Sequence, residues 1–528
     1  MKNLLFTALM LLSTHLWAVV PVKTEIKSLP DEQWWGGLVA MGSQMPYKVD
    51  TRAFNLAQEN DNNQIVPLLL SSEGRYIWSD SPFTFQLKEG SVVITSIYEK
   101  PVAIQAGHNL QEAYQAAMKN HFPPTGTLPS ELFFSKPQYN TWIELMYDQN
   151  QEDVLSYANA IVRYKFPTGV LMIDDNWQKH YGSFDFRPDK FPNPKALINQ
   201  LHTMGFKVML WIAPFVSADS PEYRLLKSKG YLLKDKKTGE PAMITWWNGV
   251  SACYDTTNPA AMDYFKEGLR GLQKNYGIDG FKFDAGDVVY MQGDYAYHDP
   301  EGNANLFSQR WAEMGLAFPY NELRAAWKLG GKPIVQRLGD KDYSWKACQL
   351  LIPDMAAAGL MGYFYACPDM IGGGQFTSFL NIEASKFDQT LIVRSCQIHA
   401  LMPMMQFSVA PWRILDEKHL AICVEYAQLH EKMGSYILSE AKKTSQSGEP
   451  ILRLMEYAYP KQGFINCKDQ FMLGDTYLVA PMVTDGYSRT VKLPKGRWQD
   501  DQGKTFKGPR TMTIDVPLER LPYYKKLN

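Results

Sequence analysis

From residue 139 onward the chain repeats one pattern: an apolar run of strand length, then a stretch whose apolar residues recur at helical spacing. Eight such runs stand at residues 142–146, 170–173, 208–212, 280–283, 334–338, 361–365, 404–407 and 451–455. The segments 153–164, 194–204, 260–276 and 306–328 between them have amphipathic helical spacing. Alternation of this kind points to a parallel sheet, because parallel neighbours need a long crossover and the helix supplies it. Eight units are the number that closes a (β/α)8 TIM barrel. The pattern therefore predicts an α/β chain with a barrel over residues 131–458.

The flanks read differently. Residues 19–130 carry short alternating runs such as Phe83-Thr84-Phe85-Gln86-Leu87, broken by Gly, Asn, Asp and Ser, and predict an N-terminal β-sandwich. The Pro-, Gly- and Thr-rich segment 121–128 makes a linker. Residues 459–528 return to short strands and turns and predict a small C-terminal β-sandwich domain. Residues 1–18 combine Lys2, an apolar run at 4–12 and a small residue, Ala18, which together predict a signal peptide and a secreted or periplasmic protein. The run is too short to span a bilayer, and no later stretch reaches the roughly 20 apolar residues of a transmembrane helix.

The charge balance narrows the ligand. With 54 basic and 55 acidic residues the chain has no electrostatic footprint for nucleic acid, so a neutral ligand is expected. The six cysteines (253, 348, 367, 396, 423, 467) are scattered singly, without metal-site spacing, and no cofactor or metal is expected. The sequence carries no G-x-S-x-G elbow, H-E-x-x-H helix or Walker loop. Gly372-Gly373-Gly374 lacks dinucleotide spacing and reads as a turn. Nothing in the sequence fixes the oligomeric state.

Barrel chemistry sits where strands stop. Here strands run into Asp174-Asp175, into Asp284, into Asp340 and into Asp369, with Trp177, Trp211, Trp246 and Trp247 interleaved. An Asp beside Gly or Asn is often only a turn or capping residue. Their convergence on one rim favours function instead. Glycoside hydrolysis needs two carboxyl groups flanking the scissile bond, and this rim can supply them beside aromatic faces that stack on sugar rings.

At these residues the chain resembles glycoside hydrolase family 31, closest to the subgroup of the myogenesis-regulating glycosidase and bacterial α-galactosidases. The resemblance rests on Ile173-Asp174-Asp175, the stretch 181–192, Leu210-Trp211-Ile212-Ala213-Pro214-Phe215, Trp246-Trp247-Asn248-Gly249, the stretch 281–287, Pro368-Asp369-Met370-Ile371-Gly372-Gly373, the stretch 402–413 and Leu473-Gly474-Asp475-Thr476. It implies double displacement with retention, Asp284 as nucleophile and Asp340 as general acid/base, with Asp342 the runner-up. It also implies substrate contacts from Asp174, Asp175, Trp211, Trp247, Asn248, Lys282, Arg337 and Asp369. Many members carry W-x-G-D at the acid/base and R-x-H near the last strands, where this chain has Arg337-Leu338-Gly339-Asp340 and Met405-Gln406-Phe407-Ser408. Both departures match the galactosidase-like subgroup, so the resemblance implies an exo-acting α-galactosidase on an oligosaccharide or other glycoside. Asp175 would either reach an axial hydroxyl or play a purely structural part. Alternatives are an α-glucosidase or α-N-acetylgalactosaminidase, an α-glucan lyase, and, in another class, a non-catalytic secreted carbohydrate-binding protein.

Overall fold

The computed structural model describes residues 21–48 and 50–527, so the expected signal peptide lies outside the described residues. Two four-stranded antiparallel sheets form the N-terminal domain. One orders Val22–Lys27, Ser91–Ser96, Thr84–Lys88 and Phe54–Asn55; the other orders Trp34–Leu38, Ile65–Ser71, Arg75–Trp78 and Ala103–Gln105. A helix, Leu110–His121, follows these strands where the alternating pattern predicts only sheet. It is started by Asn109, whose side chain accepts from the Glu112 N–H.

Eight parallel strands make the barrel: β1 (Gln138–Asn140), β2 (Val170–Ile173), β3 (Lys207–Ile212), β4 (Gly280–Phe283), β5 (Tyr320–Leu323), β6 (Gln336–Arg337), β7 (Ala366–Cys367) and β8 (Gln406–Phe407). They pair in chain order, and β8 returns to β1 through Gln406↔Gln138 and Phe407↔Tyr139. Among the described residues no ladder joins β7 to β8. That seam is crossed by the Ile371 N–H, which donates to the Gln406 carbonyl at 2.9 Å, and by Gln406 Nε2, 3.9 Å from Cys367 Sγ.

Besides the run at 361–365, which ends just before β7, three assignments from the sequence need correction. The apolar run at 142–146 is not β1: the strand ends at Asn140, whose side chain accepts from the Trp142 N–H at 2.9 Å, and a one-turn helix, Trp142–Leu145, follows. The helix expected over 306–328 stops early, as Ala304–Glu313 and a short 3-10 turn, Met314–Ala317, ahead of Pro319. After that proline the chain forms β5, whose Asn321 and Glu322 are polar but buried, so hydrophobic periodicity does not mark it. The run at 451–455 is not the eighth barrel strand. Its core, Leu452–Leu454, pairs antiparallel with Phe471–Leu473 in the C-terminal domain. One strand gained and one lost leave the barrel at eight.

That C-terminal domain is built on a six-stranded sheet in the order Leu452–Leu454, Phe471–Leu473, Tyr477–Val479, Tyr523–Leu527, Ser488–Asp500, Thr505–Asp515. A fully buried barrel residue ties it on. Arg394, in helix Gln389–Ala400, donates to the carbonyls of Val516 at 2.7 Å, Arg520 at 3.2 Å and Pro517 at 3.3 Å. Gln397, one turn on, donates to the Leu518 carbonyl at 2.7 Å. No described helix is long and apolar enough to cross a membrane.

Candidate active site

Alternation along β4 turns Phe281 and Phe283 outward, where they pack on Phe318 and Trp311, and turns Lys282 into the barrel. There the buried Lys282 Nζ meets Asp174 Oδ2, at the end of β2, at 2.7 Å. Asp284 comes next, its N–H still bonded to the Ile212 carbonyl at 2.8 Å. The backbone then swings away through Ala285 and Gly286, at φ 57° and 79°. A Cβ on Gly286 would lie 2.3 Å from Trp311 Cδ1, so only glycine lets the chain pass.

The Asp284 carboxylate is held on all sides. Trp211 Nε1 donates to Oδ2 at 2.7 Å, the Ala285 N–H donates to Oδ1 at 2.9 Å, and Arg324 Nε stands 3.4 Å from Oδ1. Burial alone would push this carboxyl up, but the positive charges of Arg324, Lys282 and Arg337, helped by the Trp211 donor, outweigh burial and hold it well below the usual range. Arg324 is in turn fixed by Asp287 at 2.6 Å and lies over the Trp247 ring at 4.5 Å.

Asp175 forms a second corner. A three-stranded sheet (Phe215–Ser217, Gly249–Cys253, Ile244–Trp246) stands above β3, and its tight turn carries Trp247 and Asn248 over the barrel mouth. Asn248 Nδ2 donates to Asp175 Oδ2 at 2.7 Å, the Tyr181 hydroxyl donates to Oδ1 at 3.0 Å, and the Tyr147 hydroxyl donates to Asn248 Oδ1 at 2.8 Å. Burial first, and the charge of Asp174 second, push the Asp175 carboxyl up to about 7.

Asp340 forms the third corner. Arg337 Nη1 donates to its Oδ1 at 2.7 Å, and its side chain is 24% exposed against 10% for Asp284. Asp369 sits behind it, fully buried, accepting from the N–H groups of Lys341 at 2.6 Å and Gly374 at 2.8 Å. Burial and the neighbouring Asp340 charge push the Asp369 carboxyl up to about 7. A Cβ on Gly374 would fall 2.5 Å from Asp369 Oδ1 and 3.0 Å from Asp340 Oδ1, so glycine keeps this corner open.

The three corners surround one cavity of about 240 Å3, below the ~300–1,000 Å3 of pockets for drug-sized ligands and suited to one sugar ring. Of the residues singled out from the sequence, Asp174, Asp175, Trp211, Trp247, Lys282, Asp284 and Asp340 line it. Asn248, Arg337 and Asp369 stand one layer behind, holding Asp175 and Asp340 rather than facing the cavity. Trp177 and Trp246 are also in support: Trp177 Nε1 donates to the Trp211 carbonyl at 2.7 Å, and Trp246 stacks on Phe215 at 4.3 Å. Asp342 lies in a neighbouring groove, not in this cavity.

Sequence reasoning misses Asn62, Trp142, Tyr147, Tyr290, Arg324, Gln375 and Phe376, which also line the cavity. Arg324 is the most consequential of these. Its signal, a cation one residue beyond a strand, is hidden because β5 is hidden. Chemically the arrangement offers an ionised carboxylate at the base, a more accessible carboxyl opposite, and aromatic walls between them. Among the described residues no cluster of three or more His, Cys, Asp or Glu could hold a metal.

Comparison with known proteins fits this geometry. The TIM-barrel domain of glycosyl hydrolases family 31 matches residues 134–440, and the C-terminal domain of the same family matches residues 448–528. The myogenesis-regulating glycosidase of Mus musculus is 30% identical over 434 residues, covering 80% of this chain and 60% of that protein. The 1,3-alpha-isomaltosidase of Kribbella flavida is 26% identical over 383 residues, covering 65% of this chain and 51% of that protein. The chain thus spans about half to three fifths of the length of these relatives. In fold it is similar to a Flavobacterium johnsoniae dextranase solved with glucose, at a TM-score of 0.82 and 21% identity, over 96% of this chain and 66% of that one.

Proposed function

The chain belongs to glycoside hydrolase family 31, and on that premise we propose that it is a retaining, exo-acting α-galactosidase with Asp284 as nucleophile and Asp340 as general acid/base. The observation that carries the mechanism is the unequal treatment of two carboxyls on one cavity. Asp284 is held ionised by Arg324, Lys282 and Trp211, as a nucleophile requires, whereas Asp340 stands at the more open lip, where a leaving group departs. In the first step Asp284 attacks the anomeric carbon, the glycosidic bond breaks, and Asp340 gives its proton to the departing oxygen. In the second, Asp340 takes a proton from water, whose oxygen attacks the same carbon and releases Asp284 and the sugar.

The choice of galactose rests on the Asp175 corner and on what is missing opposite it. Asp174 and Asp175 present adjacent carboxyls to the ring, and the hairpin holds Asp175 in one orientation, a second acceptor for an axial hydroxyl. In the stretch where relatives carry R-x-H, the Ser408 hydroxyl accepts from the Ile143 N–H at 2.7 Å, and Gln406 points into the barrel core to Glu322 at 2.8 Å. Neither lines the cavity. The apolar N-terminal segment supports export, so the substrate is met in the periplasm or outside the cell. A mature protein that begins near residue 19 supports this, and an uncleaved Met1 start sinks it.

The test is a panel of p-nitrophenyl glycosides: α-galactoside, α-glucoside, α-N-acetylgalactosaminide, α-xyloside and the β-anomers. Release from the α-galactoside alone is the expected result. Release from another α-glycoside keeps the mechanism and replaces the sugar. No release from any of them, together with measurable glycan binding, overturns the enzyme reading in favour of a binding protein.

A further inference from the structure

The general acid/base stands on a thin support. Strand β6 has two residues and meets β5 through one pair, Leu323↔Gln336. Its ladder to β7 is extended by the Leu338 N–H to the Cys367 carbonyl at 3.0 Å, and the Gln375 N–H reaches the Lys341 carbonyl at 3.0 Å; the residues flanking Asp340 are held further by a pair of amides, one on each side. The Lys341 N–H donates to the Asp369 carboxylate at 2.6 Å, from the end of β7. The Gly339 N–H donates at 2.9 Å to Asn63 Oδ1, a side chain of the N-terminal domain. We infer that Asn63 is a positioning residue for the general acid/base, so that proton donation to the leaving group depends on a domain outside the barrel.

The surrounding loop, residues 60–64, is built for this. Asp61 and Asn62 adopt φ of 50° and 59°, a left-handed pair that Asp and Asn tolerate. Asn60, Asn63 and Gln64 are buried at 1%, 3% and 0% exposure, so their amides are desolvated and their partners specific. Each partner is a site residue or a direct neighbour of one. Asn60 Nδ2 donates to Asp287, which holds Arg324, at 2.6 Å. Gln64 Nε2 donates to the carbonyls of Arg324 at 2.6 Å and Arg337 at 3.0 Å. Asn63 Nδ2 donates to the Asp61 carbonyl at 3.0 Å, which locks its Oδ1 toward Gly339. A Cβ on Gly339 would lie 2.7 Å from the Asn62 carbonyl oxygen, so glycine is what permits the loop to close on the acid/base.

Proton transfer demands alignment of the donor with the departing oxygen, and displacement by about 1 Å costs on the order of 100-fold. The nucleophile makes no contact with Asn63, so loosening that contact should slow the steps that need the acid and spare those that do not. The inference rests on the glycosidase reading above, which turnover by the wild type establishes first. The experiment then measures kcat/KM of the wild type and Asn63→Ala on aryl and alkyl glycosides of the sugar that is turned over, ordered by leaving-group acidity. For Asn63→Ala we expect about 100-fold loss on alkyl and phenyl glycosides and less than about 3-fold on 2,4-dinitrophenyl glycosides. Asn63→Asp keeps the acceptor for Gly339 and should restore the alkyl rate to within about 10-fold of wild type. A loss independent of the leaving group, no loss, or no rescue by Asn63→Asp overturns the inference. If Asn63→Ala does not fold, Asn63→Ser, a shorter acceptor, is read by the same slope, and a wild-type slope sinks the proposal.

Discussion

Two carboxyls face the same cavity and are built in opposite ways. Asp284 is a continuation of β4, its partners come from strand ends of the barrel, and its charge is settled by Arg324, Lys282 and Trp211. Asp340 follows a two-residue strand, is more than twice as exposed, and is held by a neighbouring arginine and by two amides anchored to separate parts of the molecule. The difference matches the work proposed for each. A nucleophile needs one protonation state and a fixed place, which a closed barrel rim supplies. A group that gives and takes a proton must stay open to the leaving group and to water, and its rigidity has to be brought in from outside.

The sharpest way to break this contrast is to remove each carboxyl. Asp284→Ala is expected to cut turnover of every substrate by about 10^5-fold or more, whereas Asp340→Ala loses about 10^3-fold on phenyl glycosides and far less on dinitrophenyl glycosides. Equal losses from both variants across the leaving-group series would erase the distinction. A smaller effect is expected at Arg324. Burial favours the neutral Asp284 and Arg324 opposes it, so Arg324→Gln lets the carboxyl rise toward its ordinary range. The nucleophile must be ionised, so the acidic limb of kcat/KM should move toward neutral pH, with about 10- to 100-fold loss at neutral pH itself. An unmoved limb would show that Arg324 does not set this charge.

Asp175 gives the smallest expected effect and serves as a reference, since it belongs to neither catalytic side. Its folded carboxyl titrates at about 7, above the ordinary value, so the ionised form burdens the fold at higher pH. Asp175→Asn should therefore raise Tm by about 1–3 °C at about pH 8. The gain should shrink as the pH falls through 7 and vanish below about pH 4, where the carboxyl is neutral in both states. A gain that is constant with pH would assign it to packing instead.

How far the sequence discloses the site follows the same division. Asp174 and Asp284 are legible because each follows a four-residue strand, Val170–Ile173 or Gly280–Phe283, that is apolar but for Lys282, the signal that hydrophobic spacing detects. Arg324 is illegible because Asn321 and Glu322 make β5 polar inside a barrel interior that itself hydrogen-bonds, as Gln406 does to Glu322. The run Asn60-Asp61-Asn62-Asn63-Gln64 reads as an ordinary turn, and its meaning lies in a partner 276 residues away. The one-strand slip at 451–455 has a similar cause, since Leu452–Leu454 is apolar for a sheet in the next domain.

The anchoring of Arg394 bears on how such a chain can be made. Its guanidinium donates to Gln397 in its own helix, to the Gly486 carbonyl, and to carbonyls at 516, 517 and 520, which a ribosome adds more than 120 residues after it. Until those residues emerge, the cation has only Gln397 Oε1 at 2.9 Å and the Gly486 carbonyl at 3.3 Å among these acceptors, and seating it would leave part of its donor capacity unmet. The helix Gln389–Ala400 therefore has its full set of acceptors only once residues 516–520 have been added. A nascent chain stalled before residue 516 would hold every residue of the cavity and still lack three of the carbonyls that let Arg394 be buried.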